Sequence, residues 1–273
     1  MDNKRISSLG IAAALTLSSA TAKHIEIILL TGQSNSLGTT ANKKDTDPSK
    51  PPLDPSDKHI AFFWSNRSTA AADGPAAIIG DSAGKITTLQ QQQGQGRNTT
   101  FWGPEINFGR KLYASGKRDF LIIKASRGGG GNGHWVKGQQ MYQHILKTTN
   151  TATEALKQSG HTFTFTTLLY LQGESDNNKE AQIAGQRFSE LLANLRKDLP
   201  EATNMQAIIG GIAPVGKKHD TVREQQKQLA ESRSDIQYFS NLDLQKQLYD
   251  RLHFDKAAKL EIGHRYFQAY SKK

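Results

Sequence analysis

Residues 32–35, with the sequence Gly-Gln-Ser-Asn, directly follow an apolar run that ends at Thr31. A strand that breaks into a tight turn at a serine can expose the hydroxyl as a nucleophile, here that of Ser34. A lone serine in a turn more often caps a helix, so this block carries weight only together with others. With a base and oxyanion donors nearby, it would support hydrolysis of an ester.

The C-terminal region contains a base that could serve this serine. Asp250 and His253 are three residues apart, so in one turn the carboxylate can contact one imidazole nitrogen while the other faces Ser34. Glu174 is a second carboxylate that could orient the imidazole from a neighbouring strand end. We favour Asp250 as the orienting residue and expect Glu174 to support the site; a structural role is the alternative for His253.

The elements that must position these blocks alternate between apolar runs and segments of helical periodicity. We predict strands at 25–31, 119–125, 163–171, 205–213 and 236–242, and helices at about 104–115, 139–158, 179–198, 219–232 and 255–270, the last with Asp255 as its N-cap. The alternation predicts an α/β fold with a central five-stranded parallel sheet, a three-layer flavodoxin-like sandwich. Ligands of such sheets bind beyond the carboxyl ends of the strands, where residues 34, 127–131 and 172–174 would converge.

Residues 38–100 fit this alternation poorly, because they are rich in Pro, Asp, Ser, Gly and Gln. Loops longer than about 15 residues in compact domains are usually functional or disordered. Since the segment begins beside Ser34, we expect a loop-rich insertion at the rim of the active site. A disordered insertion is the alternative.

Four blocks in this order resemble the SGNH hydrolase superfamily: residues 32–35, residues 126–129 with Trp135, residues 172–174, and the pair Asp250 and His253. The Gln-Gly-Glu sequence of residues 172–174 resembles the sialate O-acetylesterase-like branch, which includes carbohydrate acetylesterases such as acetyl xylan esterases. The resemblance covers about residues 24–270. It implies the SGNH hydrolase fold, with Ser34 as nucleophile, His253 as general base and Asp250 as its orienting residue.

The resemblance also implies an oxyanion hole. It assigns the donors to the backbone N–H of Ser34, a backbone N–H in the turn of Gly128 and Gly129, and the side-chain amide of Gln172. After Gly129 the sequence reads Gly-Gly-Asn-Gly where the family has a small polar residue. Which glycine N–H donates is therefore left open.

Other residues near these blocks are expected to support the site or to contact substrate. The supporting residues are Gln33, Asn35, Gly173 and Glu174. We expect Asn35 to hold the turn by hydrogen bonds, and Ser175 or Asp176 to cap the following helix. Trp102 and Trp135 could stack against sugar rings or pack in the core, since an indole has a broad apolar face.

Composition excludes several other kinds of site. The 273 residues include no cysteine, which excludes disulfides, thiolate metal sites and a cysteine nucleophile. The glycine run at 128–133 lacks the Lys-Ser/Thr of a phosphate-binding loop, and no metal-binding motif is present. We therefore expect no cofactor, no metal and no nucleic-acid partner.

The net charge of +10 favours binding of an acidic glycan. The alternative is that the charge serves only general solubility.

The N-terminus has the order of a secretory signal: basic residues at 4 and 5, an apolar stretch over 10–17, and small residues at 20 and 22. We predict a signal peptide of residues 1–22, a single esterase domain over 23–273, and a secreted or periplasmic location. A soluble N-terminal helix is the alternative. No other segment approaches the roughly 20 apolar residues that span a bilayer, so no membrane insertion is expected.

These observations predict a serine esterase that removes O-acetyl groups from carbohydrate, either acetylated polysaccharide or sialic acid, through an acyl-enzyme intermediate. One alternative is a lipid or aryl esterase of the same fold, although the polar segment 38–100 offers no apolar lid. The other is a carbohydrate-binding protein without turnover. The presence of Ser34, Asp250 and His253 argues against it.

Overall fold

The fold is a mainly parallel β-sheet with helices on both faces. The computed structural model describes residues 21–38, 50–67, 78–94 and 100–272. The strands in this part of the chain are β1 (His24–Gly32), β2 (Ala61–Arg67), β3 (Ile78–Asp81), β4 (Thr87–Thr88), β5 (Gln92–Gln93), β6 (Thr100–Phe101), β7 (Phe120–Ser126), β8 (Thr162–Leu171), β9 (Gln206–Gly210) and β10 (Ile236–Phe239). The α-helices are α1 (Ser34–Leu37), α2 (Glu105–Ala114), α3 (Gln140–Gln158), α4 (Asn178–Gln182), α5 (Ala184–Asp198), α6 (Gly216–Glu231) and α7 (Lys256–Tyr270). Short 3-10 helices cover Pro55–His59, Asn132–Trp135 and Leu242–Gln247. Residues 1–20 of the predicted signal peptide lie outside the described residues.

The sheet has the strand order β10-β9-β8-β1-β7-β2-β3, and β4 also pairs with β2. The five predicted strands correspond to β1, β7, β8, β9 and β10, which are all parallel to their neighbours. Their order confirms the flavodoxin-like arrangement. In the described residues the sheet is nevertheless wider than predicted, with eight strands in total.

The three additional strands come from residues 38–100, which we had expected to be loop-rich. β2 pairs in parallel with β7, and β3 and β4 pair with β2 in the antiparallel direction. Five consecutive residues of β2, 62–66, are buried, so this short apolar strand belongs to the core. Its polar flanks concealed it in the sequence.

Both faces of the sheet are covered, which explains the continuous apolar runs of its central strands. All seven residues of β7 are buried. Because side chains alternate along a strand, Ile27 and Leu29 belong to one core cluster, with residues of α3 and α5, and Ile28 and Leu30 to the other, with residues of α2 and α7. The result is the predicted three-layer sandwich.

The predicted helices are confirmed, with shifted ends and one interruption. The predicted helix at 179–198 is divided at Ile183 into α4 and α5. Asp255 caps α7 as expected, because its side chain accepts a hydrogen bond from the N–H of Ala258. In the described part of the chain, no helix combines the length and apolar character needed to cross a membrane.

Candidate active site

Ser34 lies at the carboxyl edge of the sheet, where β1 ends and α1 begins. The turn depends on Gly32, whose φ is 149° and where a Cβ atom would lie 2.0 Å from the carbonyl oxygen of Leu171. Only glycine tolerates this conformation and this close approach. The N–H of Gln33 donates to the same carbonyl oxygen at 3.1 Å, so the turn that carries Ser34 is fixed to the end of β8.

The structure brings Ser34, His253 and Asp250 together. His253 Nε2 lies 2.8 Å from Ser34 Oγ, and His253 Nδ1 lies 2.7 Å from Asp250 Oδ2. The other carboxylate oxygen of Asp250 accepts from the backbone N–H groups of His253 and Leu252, at 2.8 and 3.1 Å. The carboxylate therefore fixes both the imidazole and the loop that carries it. This geometry is that of a nucleophile, a base and an orienting acid.

The environment of Asp250 favours its ionised form. Burial acts to raise the pKa of this carboxyl, but the hydrogen bonds from the side chain and backbone of His253 outweigh burial and lower the pKa. The Tyr249 ring stacks on the imidazole with a centroid distance of 5.7 Å. Tyr249 could not be predicted from the sequence, since an aromatic residue beside a loop aspartate has no distinctive pattern.

Glu174 does not orient the imidazole, because Asp250 occupies Nδ1. Its Oε1 instead accepts from Asn35 Nδ2 at 2.6 Å. Asn35 also contacts both neighbours of His253: Nδ2 donates to the Leu252 carbonyl at 3.2 Å, and Oδ1 accepts from the Phe254 N–H at 2.9 Å. Burial raises the pKa of Glu174. Asn35 thus ties the serine turn to the histidine loop, and Glu174 holds Asn35.

The turns after β1 and β8 are joined by Gln33. Its Oε1 accepts from the backbone N–H groups of Ser175, at 3.1 Å, and Gly173, at 3.4 Å. Its Nε2 donates to the Ser175 hydroxyl at 3.3 Å. Gln33 and Gly173 therefore occupy the supporting positions that the sequence suggested.

Two of the expected oxyanion donors are engaged elsewhere. The N–H of Gly128 donates to the Arg67 carbonyl at 3.1 Å, as part of the bridge between the ends of β2 and β7. The Gln172 amide donates to Asp176 Oδ1 at 2.7 Å and lies 3.5 Å from the Gly130 carbonyl. In this structure both groups donate to protein acceptors, and of the two glycines in the turn only Gly129 keeps an N–H without a protein acceptor among the described residues.

Two other donors remain for an oxyanion. Ser34 is the first residue of α1, so its N–H has no acceptor in a preceding helical turn. In the Gly128–Gly129 turn, the N–H of Gly129 makes no backbone hydrogen bond within the described residues. Ser34 and Gly129 are therefore the expected oxyanion donors whose backbone N–H groups have no protein acceptor among the described residues.

Asp176 is a buried acceptor that organises the glycine-rich turn, and not the helix cap we expected. Its carboxylate accepts from the backbone N–H and side-chain amide of Asn132, at 2.8 and 2.9 Å, and from Gln172. The cap of α4 is Asn177, which forms a capping box with Glu180. Burial raises the pKa of Asp176 to about 6, although the hydrogen bonds from Gln172 and Asn132 act in the opposite direction.

We expect Asp176 to make stability depend on pH. The folded pKa of about 6 exceeds the ordinary value of 3.8, so the folded state binds a proton more tightly than the unfolded state. The contribution of Asp176 to the free energy of unfolding is therefore fully present below pH 4 and decreases as pH rises to 6, by about 3 kcal/mol. Urea unfolding of the wild type and of Asp176→Asn across this range measures the effect. Parallel curves for the two proteins would contradict it.

Neither tryptophan is available to stack against a sugar. Trp102 is fully buried in the core, with Lys259 Nζ 4.9 Å from its ring centroid. Trp135 is also buried and donates from Nε1 to Thr31 Oγ1 at 3.1 Å. The expected substrate contacts are therefore wrong, and both rings have the alternative role of core packing. Among the described residues, no cluster of His, Asp or Glu is suited to hold a metal ion.

Comparison with known proteins places this geometry in a family. Residues 24–272 match the family of carbohydrate esterases described as sialic acid-specific acetylesterase. A search of curated proteins finds no match.

Solved structures share the fold at low sequence identity. A protein from Arabidopsis thaliana aligns with a TM-score of 0.63 at 21% identity, covering 91% of this chain and 98% of that one. NanS aligns with a TM-score of 0.59 at 14% identity, covering 93% and 98%. A carbohydrate acetylesterase from Xanthomonas citri aligns with a TM-score of 0.57 at 15% identity, covering 89% of this chain and 55% of that one. The family match and these alignments confirm the predicted family and fold. The chain therefore belongs to the sialic acid-specific acetylesterase family of carbohydrate esterases and is a carboxylic ester hydrolase.

Proposed function

We propose that this protein removes O-acetyl groups from carbohydrate by a serine mechanism with an acetyl-enzyme intermediate. The observation that carries the proposal is the line of contacts from Ser34 Oγ to His253 Nε2, at 2.8 Å, and from His253 Nδ1 to Asp250, at 2.7 Å. A nucleophile, a base and an orienting carboxylate in this order can transfer an acyl group. Residues 23–273 would form the catalytic domain.

The first half of the reaction acetylates the serine. Ser34 Oγ attacks the acetyl carbonyl carbon while His253 Nε2 takes the hydroxyl proton. The N–H groups of Ser34 and Gly129 donate to the oxyanion that forms, and Asp250 stabilises the imidazolium. The intermediate then collapses: the bond from the acetyl carbon to the sugar oxygen breaks, and His253 gives its proton to that oxygen.

The second half releases acetate. A water molecule loses a proton to His253 Nε2 and attacks the carbonyl carbon of the acetyl-serine. The same two N–H groups bind the second oxyanion. Collapse of this intermediate breaks the bond to Ser34 Oγ, which recovers its proton from His253. The side chains named here supply every proton transfer in the cycle.

The substrate we propose is an acetylated glycan or sialic acid, with an acidic group as a further element of recognition. The family description names sialic acid. The net charge of +10 supports an anionic substrate. Arg67 and Arg127 lie at the ends of β2 and β7. Burial lowers the pKa of Arg127, and the nearby charge of Arg67 lowers it further. This positive potential would attract an acidic sugar.

Acetate release from three substrates tests the choice of substrate: acetylated xylan, O-acetyl sialic acid and a long-chain aryl ester. We expect release from at least one of the two carbohydrates, and no preference for the aryl ester. If the positive charge contributes, raising the salt concentration should lower kcat/KM more for the acidic sugar than for a small neutral acetyl ester. Turnover of the long-chain ester alone would indicate a lipid esterase. Equal salt effects would remove acidity from the proposal.

Asn35→Ala should lower kcat by about 10²-fold with little change in KM. The amide of Asn35 holds Leu252 and Phe254 on either side of His253, and displacement of a catalytic group by about 1 Å can cost this much in rate. Steady-state kinetics on the best acetylated substrate measure the change. Ser159→Ala, at the exposed end of α3, is the control and should match the wild type. An unchanged kcat in Asn35→Ala would mean that Asp250 alone fixes the histidine loop.

We also propose that the protein acts outside the cytoplasm, after removal of residues 1–22. The basic, apolar and small-residue order of this segment supports export. Mass spectrometry of the exported protein should identify Lys23 as the first residue. A cytoplasmic protein that retains residue 1 would contradict this proposal.

A further inference from the structure

A buried ammonium group contacts the C-terminal end of α1, the helix that begins with Ser34. Lys124 lies on β7 and is fully buried. Its Nζ donates to the Leu37 carbonyl at 2.9 Å, to Gln92 Oε1 at 2.9 Å and to Glu105 Oε1 at 2.8 Å. An ammonium group has three hydrogens and no acceptor, so all three donors of Lys124 are used. One of them is directed to the helix of the proposed nucleophile.

Glu105 and Gln92 hold this ammonium group in place. Glu105 Oε1 also accepts from the N–H of Gly103 at 2.8 Å and from Gln92 Nε2 at 3.0 Å. The side chains of Lys124 and Glu105 have no exposed surface. Burial lowers the pKa of Lys124, and the charge and hydrogen bond of Glu105 oppose this effect. Strand β5, helix α2 and the Leu37 carbonyl of α1 therefore converge on the ammonium group that β7 carries.

α1 depends on such external contacts because it is very short. It contains four residues, and two hydrogen bonds span its turn, from Leu37 N to Gln33 O and from Gly38 N to Ser34 O, at 2.7 and 2.8 Å. A single helical turn is not stable by itself. The next carbonyl, that of Gly38, is also bound from outside, by the N–H of Trp102 at 3.2 Å.

An ion pair with no exposed surface contributes little net stability, because desolvation of both charges offsets their attraction. An apolar pair of similar volume would fill the same space. Such a pair could not donate to the Leu37 carbonyl. The donor directed at α1 is therefore the property that distinguishes Lys124 from an apolar residue at this position.

We propose that Lys124, held by Glu105 and Gln92, is a positioning residue that fixes α1 and so keeps Ser34 Oγ within hydrogen-bond distance of His253. This inference rests on the proposed serine mechanism. It adds a residue about which the family motifs carry no information. Its contact with the reaction is indirect, through the Leu37 carbonyl and one helical turn.

Two variants separate positioning from stability. Lys124→Met leaves the Glu105 carboxylate buried without a charged partner, so it should destabilise the fold. Lys124→Met/Glu105→Leu removes both charges and should be more stable than the single variant, but it does not restore a donor to Leu37. We expect both variants to have a kcat about 10²-fold below the wild type, with KM within about twofold. A double variant with wild-type kcat would overturn the proposal.

Leu195→Ala is the matched control for stability. Leu195 is fully buried in the core cluster on the opposite face of the sheet. Its truncation should lower the unfolding midpoint as the single lysine variant does, with kcat unchanged. If Leu195→Ala loses as much kcat as Lys124→Met at equal stability, the loss is a general effect of destabilisation and the proposal fails.

Amide hydrogen exchange provides a measurement that does not need turnover. In Lys124→Met/Glu105→Leu, we expect the amides of Leu37 and Gly38 to exchange at least about tenfold faster than in the wild type and in Leu195→Ala. Unchanged exchange at both amides would overturn the proposal. If Ser34→Ala retained full turnover, the serine mechanism would fail, while exchange would still decide whether Lys124 holds α1.

Discussion

Ser34→Ala is expected to lower kcat for acetate release by about 10⁶-fold, a loss that no other single substitution in this site should exceed. The hydroxyl that lies 2.8 Å from His253 Nε2 would be absent, and no acetyl-enzyme could form. Donors for the oxyanion would remain, so a small residual rate above the uncatalysed reaction should persist. Acetate release and mass spectrometry of the acetylated protein together measure this outcome.

His253→Ala provides the partner experiment for Ser34. If the two residues act as one unit, its loss should match that of Ser34→Ala, and the double variant should be no worse than either single variant. An acetyl group should be trapped on the wild-type protein and on neither variant. If Ser34→Ala kept a hundredth or more of the wild-type rate, water would be attacking the ester directly, and the serine mechanism would be wrong.

The sequence predicted those parts of the fold and site that depend on local patterns. A strand followed by glycine predicts the turn at Ser34. The spacing of Asp250 and His253 within one loop predicts their contact. The five strands of the parallel sheet were visible because each is rich in apolar residues. In each case the residues that determine the structure are close together in the chain.

Other parts depend on competition between partners that are distant in sequence. Gln172 has the right type for an oxyanion donor, but the buried Asp176 carboxylate accepts from its amide. Asn35 contacts Phe254 across 219 residues, which no local pattern reveals. The tryptophans were ambiguous because an indole suits both a core and a sugar-binding surface. Only the tertiary packing decides between these uses.

The buried ion pair could have been predicted in part from the sequence of β7. Lys124 interrupts the apolar run of β7, where a strand covered on both faces has little tolerance for an unpaired charge. The pattern therefore requires a buried partner for this lysine. The pattern does not identify which carboxylate pairs with Lys124, because Glu105 lies on another element, α2, the helix before β7.

Asp250→Asn is expected to lower kcat by about 10⁴-fold while the loop keeps its shape. Asparagine Oδ1 can still accept from the backbone N–H groups of His253 and Leu252. Its Nδ2 would then face His253 Nδ1 as a donor, which favours the tautomer with hydrogen on Nε2. That tautomer cannot accept the proton of Ser34. Steady-state kinetics on the best acetylated substrate, with circular dichroism as a check on folding, measure the effect.

Glu174→Gln is the matched control, because it also neutralises one carboxylate beside the site. Glutamine Oε1 can still accept from Asn35 Nδ2, so we expect a loss of no more than about tenfold. The comparison decides which acid orients the base, the question that the sequence alone left open. If Glu174→Gln lost about 10⁴-fold and Asp250→Asn little, Glu174 would orient the histidine during the reaction. The contact between His253 and Asp250 would then be a property of the resting site only.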